Sequence, residues 1–405
     1  MPECENETPN MKQSARRRNR VWRRLLIGAL SLAVLFFFVA APVLDAVANR
    51  RTGSAPATIS ERGRRLHARL WVADLHADSL MWNRDPAKRQ SRGLVDVPRL
   101  IEGGVALQAF TVVSKVPWGM NMHSNRGESD MITLLAIAQR WPPRTWSSLL
   151  ERALYQAERL DAAASASDGS LVVIRSQADL DTYAQRRSSN PKMTAGYLGI
   201  EGAQVLEGEL SNLDRLFSAG FRMLAPSHFF DTEVGGSAHG ENKIGLTRLG
   251  REVVIRMEHL GMIVDLAHAS AKTIDDVLEL ANEPVVFSHT GVKGTCNSPR
   301  NLSDAQLDRT AARGGLIGIG FFRAATCGDD LASIVRAIRY AVGRVGAKHV
   351  ALGSDFDGFV TTPIDASELA ALTDALLKAG LSESQIEQIM GGNVRNLLRR
   401  LLPPG

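Results

Sequence analysis

Short apolar runs alternate with amphipathic stretches along most of this 405-residue chain. The runs are rich in Val, Ile, Leu and Ala, and such runs between polar or glycine-containing turns are typical of buried β-strands. The stretches between them, including 246–260 and 271–281, carry apolar residues at the spacing of one helical face. The pattern predicts eight strands, at 71–76, 105–113, 195–201, 221–228, 262–268, 284–289, 316–321 and 349–355.

Eight strands that alternate with helices predict a parallel sheet closed into a (β/α)8 barrel, the TIM-type fold. An open, doubly wound sheet is the competing architecture, but the glycine-rich phosphate loop that usually follows its first strand is absent from this sequence. The segment 117–192 is long for one connection and contains two helix-like runs. We therefore expect a catalytic barrel over 69–405, with an insertion at 117–192 that overhangs one face.

An uncharged apolar run, residues 25–44, precedes the predicted barrel and has the sequence LLIGALSLAVLFFFVAAPVL. At about 1.5 Å per residue, this run is long enough to cross the hydrocarbon core of a bilayer. Arginines crowd its N-terminal side, so the positive-inside rule predicts a single-pass transmembrane signal-anchor at 25–45 with a basic cytoplasmic tail at 1–24. The polar segment 46–68 is interpreted as a linker that runs into a leading helix.

A cleaved signal peptide is the alternative interpretation of this run, because Val39, Ala40 and Ala41 provide small residues near its end. The run is longer than the usual core of a signal peptide, which favours the anchor. The flanking arginines disfavour a third interpretation, a buried core helix. The anchor and the cleaved peptide both predict a catalytic domain that is periplasmic or extracellular, and the anchor also predicts attachment to the membrane through the N-terminal helix.

The formal net charge of +5 at first suggests a nucleic-acid partner. However, residues 1–24 hold seven basic and three acidic residues, which leaves the remaining chain with a net charge of only +1. With 44% hydrophobic and 22% charged residues, the composition is that of an ordinary globular protein. Because the chain has neither a basic domain nor a basic stripe interleaved with aromatic residues, we expect no nucleic-acid partner.

Six of the eight predicted strands end in ionisable side chains. These side chains are His76, Asp78, Glu201, His228, His268, His289 and Asp355. Strand ends are where a barrel of this type builds its active site. Buried ionisable groups cost several kcal/mol unless they are paired or bound to metal, so packing alone does not explain a whole set of them at equivalent positions.

The residue types in this set indicate a metal site. His76 and Asp78 stand two residues apart on an extended backbone, so both point to the same side and form a compact pair of ligands. Three histidines, an aspartate and a glutamate exceed the three protein ligands of a typical single catalytic zinc. A carboxylate that bridges two metal ions, with ligands on either side, accounts for them, and two such ions can activate a shared water.

At these residues the chain resembles the membrane dipeptidase (renal dipeptidase) family, one of the metal-dependent amidohydrolase barrels. The resemblance covers roughly residues 70–400. It rests on the motifs ADLHADSL (73–80), VDVPRLIEGGVALQAF (95–110), GIEGAQVLEG (199–208), VDLAHAS (264–270), VFSHTGVKGTCNSPRNLSD (286–304) and ALGSDFDG (351–358). The HxD motif is widespread among amidohydrolases, whereas SHxxxxxxCxxxRN and SDFDG are much more particular, and all of them occur in the family's order.

The resemblance implies a ligand set for two zinc ions. His76 and Asp78 would hold one zinc, His268 and His289 would hold the other, and Glu201 would bridge them. The sequence does not identify the metal, because imidazole and carboxylate ligands also take Mn, Co or Fe.

The resemblance also implies roles for three further residues. Asp355 would contact the bridging water as general base and then protonate the leaving amine. His228 would lie near the scissile carbonyl and stabilise the developing oxyanion. Arg300 would clamp the terminal carboxylate of the substrate, which a bidentate guanidinium fits well.

The family's enzymes cleave dipeptides, tolerate a D-residue at the second position and often form homodimers, so the resemblance implies a dipeptide substrate and a homodimer. The segments 322–327 and 117–192 do not match the family clearly, which leaves side-chain specificity open. Two alternatives remain: hydrolysis of another substrate, such as an N-acyl amino acid, lactone or phosphoester, and a non-catalytic binding barrel.

The chain has three cysteines. Cys4 falls on the cytoplasmic side in the predicted topology. Cys296 and Cys327 share an oxidising compartment and could form a disulfide, but the sequence does not give the distance between them.

Overall fold

The structure is a computed structural model and describes residues 9–52 and 58–405. Parts of the predicted tail and linker, residues 1–8 and 53–57, lie outside the described residues. The described chain begins with a continuous helix made of α1 (Pro9–Val34), a π-helical turn (Leu35–Ala40) and α2 (Ala41–Ala48).

Within the part of the chain that the structure describes, one helix, Arg16–Ala48, is long and apolar enough to cross a membrane. Most of the large apolar side chains from Val21 to Val47 are exposed, so this helix is not a buried core helix. Its length and composition suit a membrane span and a signal sequence equally.

Eleven strands are described, and most of them belong to one parallel sheet. They are β1 (Arg50–Arg51), β2 (Val72–Ala77), β3 (Val105–Val113), β4 (Leu171–Val173), β5 (Thr194–Glu201), β6 (Phe221–Leu224), β7 (Ile263–Val264), β8 (Val286–Thr290), β9 (Leu316–Ile319), β10 (Val350–Leu352) and β11 (Thr361–Thr362).

Eight parallel strands form the barrel, in the order β7-β6-β5-β3-β2-β10-β9-β8. The two ends of this sheet meet where Asp265 bridges Val286 in parallel, and the Leu266 N–H donates to the Val286 carbonyl at 2.7 Å. This closure confirms the predicted (β/α)8 barrel. The short strand β4 was not predicted, and it pairs with the N-terminal half of β5 beside β6.

Helices surround the sheet and pack their apolar side chains against it. The predicted helices at 246–260 and 271–281 are confirmed as Arg248–Leu260 and Ala271–Leu280, each beginning after a residue that caps its first turn, Thr247 or Ser270. The helices after α2 are Glu61–His67, Val97–Glu102, Met131–Ala138, Leu149–Ser165, Gln177–Ser189, Ser211–Ser218, Arg248–Leu260, Ala271–Leu280, Asp304–Ala312, Arg323–Thr326, Leu331–Val345, Leu369–Lys378, Glu383–Glu387 and Asn393–Leu401.

Four strands, β6, β7, β9 and β10, end earlier than the sequence predicts, and β9 stops at Ile319. β6, β7 and β10 stop before His228, His268 and Asp355, which therefore lie in the loops that follow. Pro226 has no N–H to donate to a strand ladder. His268 and Asp355 have φ values of 63° and 62°, a left-handed conformation that an extended strand does not contain.

The segment just after α2 also departs from the predicted linker. Strand β1 pairs in parallel with β11, so that Arg50 lies opposite Thr361 and Arg51 opposite Thr362. The Thr52 N–H then donates to the Thr362 carbonyl at 2.8 Å. The chain is therefore attached to the barrel before residue 53.

Candidate active site

The carboxyl ends of the barrel strands converge on one buried cluster of ionisable side chains. Each member is at most 6% exposed. The cluster unites the candidate metal ligands and both candidate catalytic groups that the sequence singles out: His76, Asp78, Glu201, His228, His268, His289 and Asp355.

Glu201, at the end of β5, lies at the centre of the cluster. Its Oε1 is 2.8 Å from His268 Nε2 and 3.3 Å from His289 Nε2, and these two nitrogens are 2.9 Å apart. Ligand atoms around a tetrahedral zinc, with bonds of about 2.0–2.1 Å, are separated by about 3.3 Å. The three atoms therefore have the spacing of a set that shares one metal ion.

A second group of ligand atoms surrounds His76. Its Nε2 is 3.5 Å from Asp78 Oδ1 and 3.8 Å from Asp355 Oδ1. The same nitrogen is 3.7 Å from Glu201 Oε1. Glu201 therefore lies close to both groups of ligand atoms.

His228 approaches Glu201 from the side of its other oxygen. The distance from His228 Nε2 to Glu201 Oε2 is 3.2 Å, and the ring centroid lies 4.7 Å from that of His268. These three residues also have ligand spacing. The geometry therefore suits His228 both as a metal ligand and as a contact for substrate.

The cluster contains buried polar atoms that a cation would satisfy. Among the described residues, neither His76 Nε2 nor Glu201 Oε1 has a hydrogen-bond partner. Leaving a buried polar group unpaired costs about 1–3 kcal/mol, and more when it is charged. Imidazole nitrogens together with carboxylate oxygens are a donor set that binds divalent transition metals, so the residues fit such ions.

The electrostatics of the cluster agree with metal binding. Burial lowers the pKa of His268 and His289 well below the usual value, which leaves both rings in the neutral form that binds metal. Burial also lowers the pKa of His76, but neighbouring carboxylates outweigh it and raise that pKa to about 10. Burial raises the pKa of Glu201, and it raises the pKa of Asp355 to about 7. Bound cations would stabilise the ionised carboxylates and displace the imidazole proton, so metal binding is linked to proton release.

Ser288 orients two of the histidines, and sequence reasoning missed it. Its Oγ lies 3.0 Å from Nδ1 of His76 and 3.0 Å from Nδ1 of His289. With Nδ1 engaged in this way, Nε2 of each ring is directed toward the cluster. The one signal in the sequence was its position directly before His289.

Asp74 supports the loop that carries Asp355, and the sequence analysis did not assign it a role. Its carboxylate accepts hydrogen bonds from the backbone N–H of Ser354 at 2.8 Å and from its hydroxyl at 2.6 Å. Asp74 stands two residues before His76, and an uninterrupted strand would place both on the same face. The sequence offered this spacing as a signal, although β2 has a register shift between Asp74 and Ala77.

Asp265 likewise supports the backbone near the cluster, in this case between β7 and β8. Its Oδ1 accepts from the backbone N–H of Ala267 at 3.0 Å and of Ser288 at 2.8 Å. It thereby ties the turn before His268 to the strand that carries His289. The residue lies outside regular strand structure, so no periodic pattern pointed to it.

His239 is a further buried histidine that the sequence analysis did not select. Its ring centroid lies 5.2 Å from that of His268, and its Nδ1 is 3.0 Å from the carbonyl oxygen of Met122. Burial lowers the pKa of His239 to about 4, so the ring is neutral. It packs behind the ligands and connects them to the segment 117–192.

Six of the seven cluster residues, all except His76, line a pocket of about 530 Å³. Much of its wall is apolar, and part of that wall comes from the segment 117–192. Apolar lining residues include Met81, Val113, Val116, Met120, Met122, Met131, Phe229, Phe322 and Phe359.

Arg300 also lines this pocket, and it is only 8% exposed. Its Nη2 donates to the His289 carbonyl at 2.7 Å, and its guanidinium carbon lies 4.9 Å from the centre of the Phe322 ring. Its Nε has no hydrogen-bond partner within the described chain. The pocket is therefore lined by a buried guanidinium, whose positive charge suits an anionic group.

Cys296 and Cys327 form a disulfide, with their Cα atoms 5.3 Å apart. The bridge joins the loop that carries Arg300 to the helix Arg323–Thr326 beside the pocket. Asn301 strengthens the same connection, because its Nδ2 donates to the carbonyl oxygens of Cys296 at 2.8 Å and Ala325 at 2.9 Å.

Replacing both bridged cysteines with serine is expected to lower the free energy of unfolding by about 3–4 kcal/mol, because the bridge closes a loop of 31 residues in the unfolded chain. Urea unfolding of the double variant measures this loss. Cys4→Ser is the matched control, since it removes a cysteine and leaves the bridge intact. An unchanged unfolding midpoint in the double variant would contradict the expectation.

The membrane dipeptidase family model (peptidase family M19) matches residues 60–401 of the chain. Two curated dipeptidases are similar in sequence. Dipeptidase tcpJ of Claviceps purpurea is 30% identical over 320 residues, which cover 76% of this chain and 69% of that protein. Dipeptidase verJ of Clonostachys rogersoniana is 33% identical over 215 residues, which cover 50% of this chain and only 54% of that protein.

Among solved structures, a metallo peptidase from Rhodobacter sphaeroides is similar to this chain, with a TM-score of 0.68 and 26% identity. The similarity covers 82% of this chain and 99% of the Rhodobacter protein. That enzyme was crystallised with a phosphinate mimic of the dipeptide L-Ala-D-Ala.

Proposed function

The chain belongs to the membrane dipeptidase family, peptidase family M19, and is a metal-dependent hydrolase; from this premise we propose that it is a binuclear zinc dipeptidase acting outside the cytoplasm. Its substrates are dipeptides, including those with a C-terminal D-residue. One observation carries the proposal. Two groups of possible metal ligands have Glu201 in common, and Glu201 lines the same pocket as Arg300.

In this proposal, His76 and Asp78 would hold one zinc, and His268 and His289 would hold the other. Glu201 would serve as the ligand that both ions share. The spacing of the ligand atoms, 2.8–3.7 Å, supports the assignment. When bound, such an ion pair supplies Lewis acidity that lowers the pKa of water and polarises a carbonyl.

Asp355 moves the protons of the reaction. Its carboxylate accepts a proton from the attacking water and then delivers it to the nitrogen of the leaving amine. The distance of 3.8 Å between Asp355 Oδ1 and His76 Nε2 supports this role, because it keeps the carboxylate next to the proposed ligands. His228 contacts the scissile carbonyl and stabilises the negative charge that develops on its oxygen.

Arg300 binds the carboxylate at the C-terminus of the dipeptide. Its burial strengthens the attraction to an anion, and its orientation is fixed by the hydrogen bond to His289 and by the Phe322 ring. The dipeptide mimic bound by the Rhodobacter enzyme supports a substrate with a D-residue at this end.

Replacing Arg300 with lysine is expected to raise KM for L-Ala-D-Ala by about 100-fold, because a bidentate, charge-assisted contact becomes a single one. The measurement is steady-state kinetics at confirmed metal content. Arg323→Lys is the control, since Arg323 also lines the pocket but is 74% exposed and paired with Asp329. A KM for Arg300→Lys within about threefold of wild type would exclude the carboxylate clamp.

A dipeptide panel tests the proposed function. Purified, zinc-loaded protein is incubated with L-Ala-L-Ala, L-Ala-D-Ala and dipeptides of larger side chains, with and without a chelator. Chelator-sensitive hydrolysis supports the proposal, and two zinc ions per chain by elemental analysis support the binuclear site. Fully metallated protein that leaves every dipeptide intact would exclude the proposed activity.

The apolar pocket wall favours one second candidate, hydrolysis of N-acyl amino acids. Such a substrate keeps the carboxylate that Arg300 would bind and replaces the N-terminal residue with an apolar acyl group. The methionine and phenylalanine side chains of the wall suit such a group. Adding N-acyl amino acids to the panel separates the two activities.

The proposed localisation is a single-pass membrane protein, with its N-terminus in the cytoplasm and its barrel in the periplasm or outside the cell. The apolar helix with arginines on its N-terminal side supports the topology. The disulfide supports an oxidising compartment for the barrel. The homodimer implied by the family resemblance stays a prediction.

A further inference from the structure

The segment 41–52, which we call the N-terminal brace, precedes the first residue of the family match at residue 60. It nevertheless contacts the pocket. Arg50 and Thr52 line the cavity together with Thr361. The pairing of β1 with β11 holds these residues in place.

The brace is also connected to a short loop that carries Asp355. We call residues 355–362 the base loop. The Oδ1 of Asn49, directly after α2, accepts a hydrogen bond from the Phe359 N–H at 2.9 Å. Its Nδ2 donates to Asp45 Oδ1 at 2.9 Å, so Asn49 links the last turn of α2 to the base loop. Asn49 is 3% exposed, and its position is therefore fixed by packing on all sides.

A buried ion network makes a second connection. Arg84 Nε lies 3.1 Å from Asp45 Oδ2, and Arg84 Nη2 lies 2.8 Å from Asp357 Oδ2. Arg92 also pairs with Asp45 at 3.1 Å. Asp45, Arg84 and Asp357 are at most 5% exposed, and removing one member of such a network leaves the others uncompensated.

Three residues of the base loop have a left-handed backbone conformation, which contacts from neighbouring segments must stabilise. Asp355, Asp357 and Phe359 have φ values of 62°, 67° and 60°. Residues other than glycine adopt this left-handed region at a cost, and they keep it only where the surroundings determine it. Among the described contacts to this loop, three kinds come from outside the family-matched region: the hydrogen bond from Phe359 to Asn49, the pairing of β1 with β11 and, through Arg84, the contact from Asp45.

We propose that the N-terminal brace is a positioning element of the active site, in which Asn49 and Asp45 hold the base loop so that Asp355 stays aligned with the metal ligands. Catalysis then depends on residues in the last turns of the apolar helix and directly after it, which the family match does not include. The inference rests on the proposed role of Asp355. It extends the functional unit of the enzyme from the barrel to the segment that leads out of the apolar helix.

The test compares Asn49→Ala with wild type in the full chain, purified in detergent and loaded with zinc. We expect kcat for L-Ala-D-Ala to fall about tenfold, the effect of losing one hydrogen bond that positions the base, with KM changed by less than about twofold. Zinc content is expected to be unchanged. Asn190→Ala is the matched control, because Asn190 is an exposed asparagine at the end of Gln177–Ser189, on the side of the barrel where β5 begins.

Hydrogen exchange measured by mass spectrometry tests, independently of activity, whether the brace stabilises the base loop. Peptides that cover 355–362 are expected to exchange about tenfold faster in Asn49→Ala, whereas peptides that cover β8 keep the wild-type rate. If Asn49→Ala does not fold, Asp45→Asn replaces it, since this variant keeps the side-chain shape and weakens the contact to Arg84.

The outcomes are distinct. Faster exchange in the base loop together with a lower kcat supports the proposal. Wild-type exchange in that loop, or an unchanged kcat in an active enzyme, overturns it. If wild type cleaves no dipeptide, the proposed function fails, and the exchange rates alone decide whether the brace holds the loop.

Discussion

Asp355→Asn is expected to lower kcat for dipeptide hydrolysis by about 10³–10⁴-fold, because the variant keeps the size of the side chain and removes the group that accepts the proton. The environment supports an essential role. Asp355 is 6% exposed, and a Cβ on Gly358 would meet Asp355 Oδ1 at 2.2 Å. The carboxylate is thus held in a space that only a glycine leaves open.

Single-turnover and steady-state rates on protein with measured zinc content test this expectation. Metal content is expected to stay at the wild-type level, since the proposed ligands are untouched. Asp329→Asn serves as the control, because Asp329 also lines the pocket but is paired with Arg323. An Asp355→Asn enzyme with more than a tenth of the wild-type kcat would assign the proton transfer to another group.

Glu201→Gln is expected to remove metal binding and with it detectable turnover. The amide of glutamine offers a single weaker oxygen donor where a buried carboxylate lies between three histidines, at 2.8 Å from His268, 3.3 Å from His289 and 3.7 Å from His76. Loss of the negative charge also removes the group that attracts cations into the site. We expect zinc affinity to fall by at least about 100-fold, because even substitutions behind the ligands cost 10–100-fold.

Elemental analysis after dialysis against buffered zinc measures this loss. Glu209→Gln is the control, because it exchanges an exposed glutamate on the loop after β5. Chelator followed by added zinc is expected to restore wild type and not Glu201→Gln. Two zinc ions retained by Glu201→Gln would show that this carboxylate does not bridge them.

Much of the fold follows from local pattern. The alternation of apolar runs with amphipathic stretches correctly predicted eight barrel strands and the helices between them. The prediction failed at some strand ends, since β7 stops at Val264 and β10 at Leu352. The left-handed conformations of His268 and Asp355, which lie beyond these ends, are not encoded in the pattern of hydrophobicity. It also missed β4, β1 and β11, which are two or three residues long and pair with distant segments.

In the candidate site too, some residues could be predicted from the sequence and others could not. The ionisable residues at strand ends were visible because the fold places such ends together, and the structure brings all seven into one cluster. Ser288, Asp265 and Arg84 act through side-chain contacts with residues far away in the sequence, so no local pattern revealed them. The sequence also left open whether Cys296 and Cys327 pair, because only the folded chain sets the 5.3 Å between their Cα atoms.

One residue, Asn49, separates the continuous helix that ends at Ala48 from strand β1. A long flexible linker would let the barrel reorient relative to the helix, whereas this junction is a single residue. In the proposed topology, the short junction would therefore couple the orientation of the barrel directly to the tilt of the apolar helix in the bilayer.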